Sequence, residues 1–133
     1  MNDRIKDELE LLRRSYPTLE YVEAGQWVRI KNYEIPSGLG WNRQTTDVCF
    51  QIPAAYPGTP PYGFYVPAGI LINATRPESY QEPAQNKPPF EGSWALFSWQ
   101  VDSPVWLPKA DFRAGSNLLN FVRTFKERFS GGK

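Results

Sequence analysis

Few side chains in this chain are suited to chemistry. Its 133 residues hold one cysteine, Cys49, and no histidine, which excludes Ser-His and Cys-His dyads, Cys/His zinc sites, iron–sulfur clusters and intramolecular disulfides. No metal or cofactor is expected, and acid–base work falls to carboxylates, lysines or tyrosines. Cys49 lies inside the alternating run Asp47-Val48-Cys49-Phe50-Gln51-Ile52. It reads as a structural strand residue, because a reactive thiol needs access and positive surroundings. Ser98 carries a hydroxyl, a weak nucleophile unless a base stands beside it. The carboxylates Glu78, Glu82, Glu91 and Asp102 show no spacing that singles out a pair for glycoside chemistry.

Aromatic residues are the larger resource. They make up 15% of the chain, and Trp94, Phe97, Trp99 and Trp106 crowd one stretch. Such rings serve either as core or as the walls of an apolar groove. Fifteen Lys and Arg against 14 Asp and Glu leave a net charge of +1, so no global field draws the protein to nucleic acid or to an anionic membrane. The N-terminal stretch is charged and amphipathic, unlike a signal peptide, and no run of about 18 apolar residues is present. The expectation is a cytoplasmic protein with one domain over residues 1–133.

The elements that must position these residues show in the hydrophobic period. Ile5, Leu9 and Leu12 recur at helical spacing, with Asp3, Asp7 and Glu8 early and Arg13 and Arg14 late, an order that suits the helix dipole. Tyr16-Pro17 ends that helix. From Leu19 to Val66 the period becomes two, with Val28 and Ile30, then Val48, Phe50 and Ile52, then Tyr62, Phe64 and Val66 on one face. Short links of Gly, Pro and Ser predict an antiparallel meander. Between Val66 and Trp94 five prolines punctuate a stretch expected to give little to a core and to be functional or mobile. Trp94–Trp99 reads as a short extended segment, and Asp102-Ser103-Pro104 as a turn. Leu118, Val122, Phe125 and Phe129 form a closing helical stripe, with Ser116 as N-cap and Gly131-Gly132 as the stop. That glycine pair resembles the end of a ubiquitin-like modifier, but Lys133 and the preceding helix favour a simple helix stop. The predicted fold is α+β: a four-stranded antiparallel meander with an N-terminal and a C-terminal helix.

This order, with Tyr56-Pro57-Gly58-Thr59-Pro60-Pro61 before the strand Phe64-Tyr65-Val66 and Trp106-Leu107-Pro108 before the last helix, resembles the ubiquitin-conjugating enzyme superfamily. Through Trp94, Trp99, Trp106 and Asn117-Leu118-Leu119 it is most similar to a bacterial group encoded beside ubiquitin-like proteins and activating enzymes. The resemblance implies two partners, a ubiquitin-like modifier and its activating enzyme, the latter docking on Lys6, Arg13 and Arg14. It places the nucleophile at Ala95, with Ser98 as the other corresponding position. It also implies a groove for the modifier's glycine-rich tail, walled by Trp94, Phe97, Trp99, Gln100, Trp106 and Tyr56. The family's cysteine is missing, and Gln100 stands where the bacterial group often has histidine. The function implied is a conjugating-enzyme-like binding protein. The alternatives are a non-catalytic adaptor of the same fold and, further off, a carbohydrate-directed domain.

Overall fold

The computed structural model describes residues 3–101 and 105–131. The turn at Asp102-Ser103-Pro104, with its candidate acid Asp102, and the terminal Gly132 and Lys133 lie outside the described residues. Helix α1 (Asp3–Ser15) buries Ile5, Leu9 and Leu12 and ends just before Tyr16-Pro17. Strands β1 (Glu20–Val22), β2 (Trp27–Glu34), β3 (Thr45–Gln51) and β4 (Phe64–Pro67) follow as a meander. Two more strands, β5 (Tyr80–Gln81) and β6 (Trp94–Phe97), extend the sheet to six in the order β1-β2-β3-β4-β6-β5, every pairing antiparallel. The expected four-stranded sheet is therefore too small. An edge left at β4 would expose a row of unpaired backbone groups, and β6 covers it over four residue pairs, from Phe64 opposite Phe97 to Pro67 opposite Trp94.

Strand alternation divides the sheet into two buried faces. Val28, Ile30, Val48, Phe50, Phe64, Val66, Ala95 and Phe97 point to the helical side and join one core with Leu9, Leu12, Phe121, Phe125 and Phe129. Trp27, Cys49, Tyr65 and Trp94 form a second cluster on the opposite face, packed against Ala84, Phe90 and Leu96. A second apolar face needs a cover, and the proline-rich stretch supplies it. Arg29 lies 4.5 Å over the Phe90 ring, and the Trp94 indole N–H donates to the Phe90 carbonyl at 3.2 Å. The same stretch sends Ile70 and Ile72 into buried positions, contrary to the expectation that it gives little to a core. Tyr62 departs from its predicted face as well: β4 begins at Phe64, and Tyr62 is 57% exposed.

The closing helical stripe is real but divided. Helices α2 (Leu118–Arg123) and α3 (Phe125–Ser130) meet at Thr124. The N-cap of α2 is Asn117, not Ser116. Asn117 and Asn120 exchange side-chain and backbone hydrogen bonds in a reciprocal capping box. The Ser116 hydroxyl instead accepts from the Leu107 N–H at 2.9 Å, while the Ser116 N–H donates to the Leu107 carbonyl at 3.0 Å. Ser116 thus fastens the Trp106 segment to the helix. Gly131 follows α3 with right-handed dihedrals.

Candidate functional site

The segment that leaves the sheet after β6 is fixed on both sides. The Ser98 N–H donates to the Ser79 carbonyl at 2.8 Å, and the Trp99 carbonyl accepts from the Gly63 N–H at 2.7 Å. Gly63 has φ +70°, and a Cβ there would stand 2.8 Å from Leu96 Cδ1 and 2.9 Å from the Phe97 carbonyl. Only glycine fits so close an approach. Trp99 then reaches across to donate its indole N–H to the Thr124 hydroxyl at 2.9 Å, at the junction of α2 and α3. Trp106 donates its indole N–H to the Pro57 carbonyl at 2.8 Å, with its ring 6.0 Å from that of Tyr56.

These contacts bring the Tyr56–Gly63 loop, residues 98–101, residues 105–107 and the start of α2 to one corner. A cavity of about 190 Å³ opens there, lined by Val101, Val105, Trp106, Phe121 and Thr124 among others. Among the described residues, the three exposed large apolar side chains are Tyr62, Val105 and Leu107, at 57%, 65% and 59%. All three sit on segments that meet at this corner. Val105 lines the cavity itself, and exposed apolar side chains beside a cavity mark a surface suited to a partner.

A buried carboxylate braces the corner from below. Glu8 is fully buried on α1; it accepts from the Tyr56 hydroxyl at 2.5 Å and the Leu118 N–H at 2.7 Å, and pairs with Arg4 Nε at 2.8 Å. Arg4 also donates to the Lys109 carbonyl at 2.5 Å. Burial, and next the hydrogen bond to Glu8, push the Tyr56 phenol far above its ordinary range, so it remains a proton donor to the carboxylate. Sequence reasoning placed Glu8 only as a dipole partner. Its signal was its place at i+3 within the Ile5, Leu9, Leu12 stripe, a position that faces the core.

Of the six side chains expected to wall a groove, the structure brings only Trp99, Gln100, Trp106 and Tyr56 to this corner. Gln100 is exposed, Trp99 half-buried, and Trp106 and Tyr56 are buried behind it. Trp94 and Phe97 belong to opposite faces of β6 and do not line it: Trp94 packs with Phe90, and Phe97 lies among Phe64, Trp41, Tyr80 and Phe129. Ala95, expected at the nucleophile position, is fully buried opposite Val66 in the β4–β6 ladder. A side chain there points into the core, because its alternation phase is that of Phe97. Ser98 is exposed, and among the described residues no side chain hydrogen-bonds its hydroxyl. Cys49 is fully buried, and burial raises its thiol far above its ordinary range. It offers no thiolate at neutral pH.

Lys6, Arg13 and Arg14 are exposed on α1. Among the described residues no group of three or more His, Cys, Asp or Glu could hold a metal ion, and no helix is long and apolar enough to cross a membrane. Comparison with protein-family models, with curated proteins and with solved structures returned no match.

Proposed function

We propose that this chain is a conjugating-enzyme-like protein that works by binding. It takes the extended, glycine-rich tail of a ubiquitin-like modifier at the apolar corner and meets the modifier's activating enzyme through Lys6, Arg13 and Arg14 on α1, in the cytosol. The observation that carries this is the cavity lined by Val101 and the exposed Val105, with the exposed Tyr62 and Leu107 on the segments that adjoin it. A tail ending in two glycines has no side chains to clash with indole edges, and its backbone groups can pair with polar groups at the rim. The order of helix, meander, Tyr-Pro corner and Trp106 segment supports the conjugating-enzyme-like fold.

The second reading, a non-catalytic adaptor, is favoured by the lone thiol. Cys49 is buried in the second cluster, on the sheet face opposite the helices, so a thioester has no cysteine to form on. Both readings share the corner as the binding surface. Replacing Val105 and Leu107 with aspartate should abolish capture of a modifier ending in Gly-Gly while the fold survives, because both side chains are exposed. Capture by the double variant at the parent's affinity would move the site elsewhere.

A further inference from the structure

The sheet face opposite the helices is closed by the link from β5 to β6, and the middle of that link is held differently from its ends. On the entering side the Ala84 N–H donates to the Trp94 carbonyl at 2.9 Å and the Gln85 N–H to Gln81 Oε1 at 3.1 Å. On the leaving side the Ser93 carbonyl accepts from the Ala68 N–H at 2.9 Å. Between these pins, among the described residues, residues 86–92 make no backbone–backbone hydrogen bond, and Pro88 and Pro89 carry no N–H with which to make one. Side chains hold them down. Phe90 packs on the cluster of Trp27, Cys49, Tyr65 and Trp94, its carbonyl accepts from the Trp94 indole, and the Asn86 amide donates to Gln51 Oε1 at 3.4 Å. Pro88 is buried and Phe90 half-buried, while Asn86, Lys87, Pro89, Glu91 and Gly92 are exposed.

The part of the proline-rich stretch that precedes β5 is anchored far more firmly. Ile70 and Ile72 are buried there, the Leu71 carbonyl accepts from the Asn42 N–H at 3.0 Å, and the Asn73 N–H donates to the Gly40 carbonyl at 2.8 Å. Residues 86–92 have no such ties, and two details favour their release. The Arg29 guanidinium lies against the Phe90 ring, and its Nε is buried with no hydrogen-bond partner among the described residues. A buried donor left unmade is a cost that water removes once the ring lifts. Gly92, beside the leaving pin, takes φ +107° with open space where a Cβ would stand, so the backbone can turn there at small cost.

We infer that residues 86–92 form a strap that lifts as one unit, turning at Gln85 and Gly92 while the sheet and helices stay folded, and that Cys49 reacts only from this open state. A segment with few buried apolar contacts and no ladder opens at a lower free energy than the whole fold. The open strap bares the Cys49 thiol and the rings of Trp27, Tyr65 and Trp94. This gate lies on the face away from the helices and is independent of the apolar corner.

The test is the rate at which an aromatic disulfide, dithiodipyridine, reacts with Cys49 in the full chain across a urea series, beside hydrogen exchange of the β3 amides. Below the unfolding transition the thiol rate should rise with urea at less than about half the slope of β3 exchange, because the strap exposes less surface than global unfolding does. Phe90→Ala, at a half-buried position, should raise the thiol rate at least about tenfold and β3 exchange by less than about threefold. Ile5→Val on α1 destabilises the fold away from the strap, so it should speed β3 exchange severalfold and leave the thiol rate unchanged. Equal urea slopes, or thiol and amide rates that change in step in both variants, would overturn the proposal, since Cys49 would then react only through global unfolding. A thiol rate unmoved by Phe90→Ala would overturn it as well, and so would a parent thiol that reacts as fast as an exposed cysteine.

Discussion

The Trp106 indole N–H and the Pro57 carbonyl stand 2.8 Å apart, and this bond joins the segment after β6 to the Tyr-Pro corner that precedes β4. Through Tyr56 the same corner reaches Glu8 on α1, and through Glu8 the first N–H of α2. The exposed apolar residues Val105 and Leu107, on either side of Trp106, are therefore presented by a braced segment. A surface held in place before its partner arrives loses less conformational entropy on binding.

Removal of the brace should be costly. Glu8→Ala leaves Tyr56, Leu118 and Arg4 without their shared acceptor in a buried site, at a cost of roughly 3–5 kcal/mol. Tyr56→Phe removes one donor and should cost about 1–2 kcal/mol. Urea unfolding checks both. Equal, small shifts in midpoint for the two variants would show that Glu8 carries no such network.

Thiol accessibility separates Ala95 and Ser98, the two positions that the proposed conjugating-enzyme-like reading offers for a nucleophile. Ala95→Cys places sulfur in the packed β4–β6 ladder and should resist maleimide in the native state, with an overpacking cost of roughly 1–3 kcal/mol. Ser98→Cys should label rapidly, and parent Cys49 should not. Mass spectrometry of native-state labelling reads all three. Fast labelling at position 95 would mean that β6 does not keep this register.

Gly63 is held by both its dihedral and its neighbours. Gly63→Ala meets the Leu96 side chain and the Phe97 carbonyl at positive φ, and should cost roughly 1–3 kcal/mol through strain and the disturbed bond to Trp99. A midpoint unchanged in urea would contradict the close approach.

Acid should weaken the loop before β6. The Glu82 carboxylate accepts from the Tyr80 hydroxyl at 2.6 Å and the Gly69 N–H at 2.8 Å. The Tyr80 bond, then the Gly69 bond, hold its pKa below the ordinary 4.5. A depressed folded pKa contributes stability above the ordinary value, and that contribution is lost as pH falls through the folded value. Glu82→Gln should therefore narrow the loss of stability between about pH 7 and about pH 3, measured by chemical unfolding at each pH. An identical loss in parent and variant would remove Glu82 from the acid response.

Periodicity made α1, strands β2 to β4 and the apolar stripe of the closing helices legible, because in each the side chains of the main core recur at a regular spacing. The remainder depended on tertiary pairing. β5 has two residues, and β6 was readable only as an extended stretch, so neither announces which edge it joins. Ile70 and Ile72 lie in a segment whose prolines conceal its core contacts. At the site, Ser98, Trp99, Gln100 and Trp106 were legible as neighbours in sequence. Glu8 was not, since a carboxylate in an apolar stripe gains meaning only once Tyr56 and Leu118 arrive from distant parts of the chain. Ala95 and Phe97 were misplaced for a related reason: the strand turned their side chains inward, away from the corner.

The corner that carries Tyr62, Val105 and Leu107 is proposed to receive an extended tail ending in Gly-Gly. The most direct measurement is a two-dimensional ¹⁵N–¹H titration of the full chain with a synthetic hexapeptide of that ending, beside the same peptide ending in Val-Val. The Gly-Gly peptide should shift amide resonances at Tyr62, Gly63, Ser98–Val101 and Val105–Leu107, and the Val-Val peptide should shift them far less. Shifts of equal size with both peptides, shifts confined to other surfaces, or none at millimolar peptide would contradict the account.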